Sequence, residues 1–191
     1  MKNLLFAFTA VLFFALALSS CKKDETNNNG NSGSNGNNGS GGNTTAVYVD
    51  LGLPSGTKWK STNEYGNGSG YYTFDEAVSA FGNNLPSKEQ CWELITLCTW
   101  SRQENYSYKV TGLNGNEIVL PITGCYEWSG DNNNYMYHNG NLGIYWTSTP
   151  CPDEYSYYGE NSYYTLMFTN DPMGIDSRPK TWKLSVRLVQ N

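Results

Sequence analysis

The chain is 191 residues long with a formal net charge of −5, and 38 % of it is apolar, with fifteen tyrosines and six tryptophans. An acid excess of this kind argues against a nucleic-acid partner, and a single histidine leaves a zinc site little to build on. Enough chain remains beyond the low-complexity segment for one domain with a real core.

The N-terminus reads as a secretory signal: a short basic start (Met1-Lys2-Asn3), an apolar run from Leu4 to Leu18, then Ser19 and Ser20 before Cys21. The run is too short and too abruptly ended to stay in a bilayer. Leu18-Ser19-Ser20-Cys21 resembles the lipobox of bacterial lipoproteins, in which the peptide is cut before the cysteine and the cysteine is lipidated. That resemblance implies a signal peptide over 1–20, a lipidation site at Cys21 and firm membrane anchoring through the acyl chains. Lys22-Lys23-Asp24-Glu25 resembles the charged signal that sends Bacteroidetes lipoproteins to the outer face of the outer membrane; a periplasmic facing stays open. Residues 26–45 are only Asn, Gly, Ser and Thr, so 21–45 is expected to be a flexible tether spanning roughly 25 Å on average.

The folded part, 46–191, opens with a strand at Val47-Tyr48-Val49, a turn at Leu53-Pro54-Ser55-Gly56 and an apolar anchor at Trp59. Thr73 and Glu76 form a capping box for a first helix with Phe74, Val78 and Phe81 on its apolar stripe and Gly82 as its stop. Ser87 and Gln90 cap a second, whose Cys91, Leu94, Ile95 and Cys98 share a face that is expected to pack on a sheet. The period then becomes two. Tyr106–Thr111 and Glu117–Leu120 flank Asn114-Gly115, a hairpin signal, and Gly143–Thr149 and Ser162–Thr169 read as further strands. In the last segment Trp182, Leu184, Val186 and Leu188 alternate with Lys183, Ser185 and Arg187, which predicts one buried face and one wet face. Two early helices and at least five strands predict an α+β domain. Helical rise puts Cys91 and Cys98 about 10.5 Å apart, beyond the roughly 7 Å reach of a disulfide. Other pairings with Cys125 and Cys151, and buried free thiols, stay open.

Several stretches then carry a family resemblance in order along the chain: Val49-Asp50-Leu51-Gly52-Leu53-Pro54-Ser55-Gly56-Thr57-Lys58-Trp59, Leu85-Pro86-Ser87-Lys88, Cys98-Thr99-Trp100, Tyr108–Gly112, Tyr145-Trp146-Thr147-Ser148-Thr149 and Ser185-Val186-Arg187. Together they resemble the FISUMP (Fibrobacter succinogenes major paralogous) domain family over about 47–190. The resemblance implies a C-type-lectin-like fold, two short helices on a twisted antiparallel sheet with long loops at one end. The chain departs from that family's pattern where a cysteine often follows the tryptophan matching Trp59, since Ser61-Thr62-Asn63 stands there instead.

No catalytic motif is present. The calcium triplets of sugar-binding C-type lectins are missing, and the oxygen-rich stretches Ser129–Asn134 and Asp171–Asp176 read as solvated loops, so no metal or cofactor is expected. Glu127, Asp131, Asp153, Glu154 and Glu160 cannot be paired from sequence into a glycosidase couple, so an enzyme is not expected. The loop Trp128–Asn141 interleaves Trp128, Tyr135, Tyr137 and His138 with Asp131 and Asn133, and Tyr157 and Tyr158 recur in the next connection. Aromatic faces beside amide and carboxylate groups suit a sugar ring or a protein surface. The expectation is a non-catalytic adhesion domain for a glycan or host ligand, with a structural or protein-partner-binding envelope subunit as the alternative.

Overall fold

The computed structural model describes residues 46–128, 134–137, 140–169 and 173–191, with the backbone alone at 128 and 134–137. Cys21, the signal and the tether lie outside the described residues. In chain order the elements are β1 (Tyr48–Asp50), β2 (Lys58–Lys60), α1 (Phe74–Phe81), a 3-10 turn (Gly82–Asn84), α2 (Lys88–Leu97), β3 (Thr99–Gln103), β4 (Ser107–Thr111), β5 (Glu117–Pro121), β6 (Cys125–Trp128), β7 (Asn134–Tyr137), β8 (Gly143–Cys151), a second 3-10 turn (Asp153–Tyr155), β9 (Ser162–Phe168), β10 (Met173–Pro179) and β11 (Val189–Gln190). This is an α+β fold, as expected. Its strands form not one sheet but three of three strands, β1-β2-β11, β3-β4-β5 and β8-β9-β10, and a ribbon, β6-β7, with antiparallel pairing throughout.

Both helices start where their sequence says. Thr73 Oγ1 accepts from Glu76 N while Glu76 Oε2 accepts from Thr73 N at 2.8 Å, and Ser87 and Gln90 repeat the exchange at α2. Each cap satisfies orphan amides and contributes about 1 kcal/mol. Gly82 ends α1 at φ +49°. Two details correct the expected stripes: Val78 is exposed and Ala77 is the buried partner of Phe74, and Cys98 is the extended C-cap of α2 rather than a helical residue. The Asn114-Gly115 hairpin closes with Gly115 at φ +84°. Its tip is held to the first strand, because Leu113 N donates to Leu51 O at 2.8 Å and Asn114 Nδ2 to Asp50 O at 2.9 Å. A Cβ on Gly112 would sit 2.2 Å from Leu51 O, so this approach requires glycine.

The β8-β9-β10 sheet divides the core. On β8, Tyr145 belongs to one apolar cluster, with Leu51, Trp59, Cys91, Leu94, Val110 and Leu120; Ile144 and Trp146 belong to the other, with Phe74, Ala77, Trp182, Leu184 and Val186. Side chains alternate across a strand, so successive residues of β8 feed opposite faces. β9 does the same, with Leu166 and Phe168 on the α2 side and Tyr163 and Met167 on the other. A sheet covered on both faces reads as a continuous buried run, as Gly143–Thr147 is.

The C-terminal segment overturns the alternation expected of it. Only β11 is a regular strand; Leu184 and Lys183 make isolated antiparallel bridges to Tyr72 and Tyr126, and Ser185 a parallel one to Tyr145. Threaded between these neighbours, Ser185 and Arg187 are buried rather than wet. Arg187 is 1 % exposed and is satisfied by neutral acceptors: Nε donates to Asn63 Oδ1 at 2.9 Å, Nη1 to Lys60 O at 2.8 Å and Nη2 to Val119 O at 2.7 Å. Asn63 Nδ2 in turn donates to the Tyr145 hydroxyl, which donates to Pro121 O at 2.7 Å. Removal from water depresses the Arg187 pKa below its ordinary value.

Candidate functional site

Four further strands occupy positions that sequence periodicity did not mark. β3 pairs with β4 from Thr99↔Thr111 to Gln103↔Ser107. β10 covers most of the expected Asp171–Asp176 loop, so Asp176 is a strand residue opposite Thr165. Part of the expected Trp128–Asn141 loop is likewise the β6-β7 ribbon, in which Trp128 pairs with Asn134, Glu127 with Tyr135 and Cys125 with Tyr137. Asp131, Asn133 and His138 lie outside the described residues, as do the side chains of Trp128, Tyr135 and Tyr137.

Of the expected binding residues, Tyr157 and Tyr158 are therefore the ones whose surroundings are defined. They lie on the connection between β8 and β9, which opens with Pro152 and the Asp153–Tyr155 3-10 turn and closes through Gly159 at φ +75° and Asn161 at φ +61°. Left-handed residues at its end turn the chain sharply back into β9. Tyr157 is 92 % exposed, Tyr155 71 % and Tyr158 39 %.

Tyr158 is the pivot between this turn and the core. Its ring meets Tyr157 edge-on at 5.3 Å and buried Trp182 at 5.4 Å. The Arg178 guanidinium lies 5.4 Å from the Tyr158 centroid and 5.3 Å from that of Trp182, within cation–π range of both. Arg178 is 8 % exposed; its Nη1 donates to Asp176 Oδ2 at 2.5 Å and to Ser177 O at 2.6 Å, while Nε has no partner. Burial pushes the Tyr158 hydroxyl pKa up; Arg178 opposes this, and Asp176, Glu127 and Cys125 add to it.

Sequence reasoning missed Arg178 and placed Trp182 only in the core. An arginine two positions after an aspartate on one strand face, close to a tryptophan, was the available signal. The other aromatics divide clearly: Trp59, Tyr72, Tyr108, Tyr145 and Trp146 are buried and hold the fold. The Trp146 indole donates to Tyr72 O at 2.7 Å and the Tyr108 hydroxyl to Thr169 O at 2.8 Å.

Asp153, Glu154 and Glu160 are all exposed on the turn, and among the described residues no three His, Cys, Asp or Glu side chains are placed to hold a metal ion. Cys91, Cys98 and Cys151 are free thiols; burial raises Cys98 to about 11 and Cys91 higher still, so neither is a reactive thiolate at neutral pH. Among the described residues no helix is long and apolar enough to cross a membrane. No protein-family model matches the chain, and it has no match among curated proteins or solved structures.

Proposed function

We propose that this chain is a lipoprotein anchored through Cys21 in the outer membrane, whose folded part is a C-type-lectin-like module of FISUMP type that binds a ligand without transforming it. The observation that carries the reading is the tyrosine turn. Tyr155 and Tyr157 expose large rings, while Tyr158 beneath them is held by Trp182 and Arg178. Exposed tyrosines on a supported backbone offer contact area at low entropic cost, the arrangement that suits a sugar face or a protein epitope.

The test is binding of the full-length chain to a broad glycan array and to host-surface extracts, in calcium and again in EDTA. Retained binding in EDTA that is lost in Tyr157→Ala supports an aromatic, metal-independent site. Loss in EDTA would replace it with a cation-dependent site, and equal binding by wild type and Tyr157→Ala would remove the turn from the reading.

A further inference from the structure

A second surface lies on the outer side of α2. Cys91 and Leu94 turn into the core, leaving two i, i+4 columns outward: Lys88, Trp92 and Thr96 in one, Glu89, Glu93 and Leu97 in the other. They form one wall of a groove of about 610 Å³ whose opposite wall is Tyr164 of β9 and Ile175 of β10. Trp92 is 55 % exposed, and Leu97 is exposed beside it. A half-exposed tryptophan opposite the buried face of its own helix adds nothing to the core, whereas a concave apolar lining of this size is in the range of ligand-binding clefts.

The charges around the groove choose among occupants. Glu89 is exposed, and Glu93 accepts from Ser55 N at 3.0 Å and Ser55 Oγ at 2.5 Å, neutral donors that leave its charge uncompensated. Among the described residues of the lining the one base is Lys88, whose ammonium lies 4.3 Å over the Tyr164 ring. An anionic lipid or acidic glycan meets this acid excess unfavourably. A second copy of the chain would bring the same carboxylates against each other across a two-fold axis. Residues 26–45 hold no apolar side chain to fill the groove.

We infer that the α2 groove is a docking site for a basic segment of a partner protein, one that seats apolar side chains between Trp92 and Tyr164 while its lysines or arginines reach Glu89 and Glu93. Its lining residues are different from those of the ligand face proposed above. Its affinity is set by the tryptophan contact and steered by the acids, so it weakens with added salt.

Three fluorescein-labelled peptides test it against the full-length chain by anisotropy: alternating lysine and leucine, glutamate and leucine, and lysine and serine. The lysine–leucine peptide is expected to bind best, and Trp92→Ala to weaken it about ten-fold or more, the loss of about 1.4 kcal/mol. Glu89→Lys is expected to weaken it several-fold at low salt and less at high salt. Thr96→Arg, on an exposed position of the same column, fills and charges the groove and is expected to lower affinity without touching the core. Equal binding of the glutamate–leucine or the lysine–serine peptide, or unchanged affinity in both Trp92→Ala and Thr96→Arg, would overturn the proposal. So would self-association of the chain by sedimentation that Trp92→Ala abolishes, which would make the occupant a second copy.

Discussion

Arg187 and Arg178 are both buried, and they do opposite things. Arg187 sits in the seam where the C-terminal segment passes the first sheet, and its three nitrogens are taken by Asn63, Lys60 O and Val119 O. Arg178 sits between two aromatic rings at the base of the tyrosine turn, pairs with Asp176 and leaves Nε unpartnered. A buried cation whose hydrogen bonds are filled by backbone carbonyls ties segments distant in sequence into one geometry. A cation shared between rings and a half-exposed carboxylate supports a surface feature instead. Burial alone does not separate fold from function; the partners of the buried group do.

The comparison is broken most severely at Arg187. Arg187→Met leaves Asn63 and two carbonyls without their donor, and about 3 kcal/mol of stability should be lost in urea denaturation. A loss under 1 kcal/mol would mean that water replaces the guanidinium and that the seam is not fastened by it.

The next effect is one of pH. Burial, partly opposed by Arg187 and the Asn63 hydrogen bond, pushes Tyr145 up to about 12, above the ordinary value of about 10. The unfolded chain therefore loses this proton first. The stability contributed by Tyr145 is whole below pH 10 and is lost between pH 10 and 12, at about 1.4 kcal/mol per pH unit. Tyr145→Phe should flatten that part of the alkaline slope while lowering stability at pH 7 by about 1 kcal/mol through the lost bond to Pro121 O. An identical alkaline slope in wild type and variant would assign the transition to other groups.

Arg178→Met is expected to be milder, about 1 kcal/mol, because Asp176 is partly exposed and can turn to water. Its sharper consequence is loss of ligand affinity as Tyr158 loses its support. A stability loss as large as that of Arg187→Met would erase the distinction between the two arginines. Tyr157→Ala should be smallest in stability, within about 0.5 kcal/mol, since the ring is 92 % exposed, and large only in binding.

The same contrast explains which features were legible. Ser87-Gln90 and Thr73-Glu76 were readable because a capping box is complete within four residues. Asn114-Gly115 was readable because positive φ at a turn selects glycine locally. The ribbon was hidden because its Asn-rich stretch has the composition of a loop, and β10 because Gly174, Asp176 and Pro179 are poor strand residues that pairing with β9 overrides. Trp92 was hidden because the apolar stripe of α2 marks only the buried face, although a tryptophan off that stripe is itself a signal.

Local chemistry was enough to set the helix starts, the hairpin and the α+β class, because each depends on residues within a few positions of one another. Whether an outward face is wet depends on what another segment lays over it. Ser185 and Arg187 alternate as solvent-facing residues should, yet Asn63, Lys60, Val119 and Thr123 arrive from elsewhere in the chain to enclose them. The tyrosines show the same limit: Tyr145 and Tyr157 are chemically alike, and only packing makes one a core hydrogen-bonding group and the other an exposed ring. Tertiary structure decided both, because burial is a property of pairs of distant segments and no single stretch encodes it.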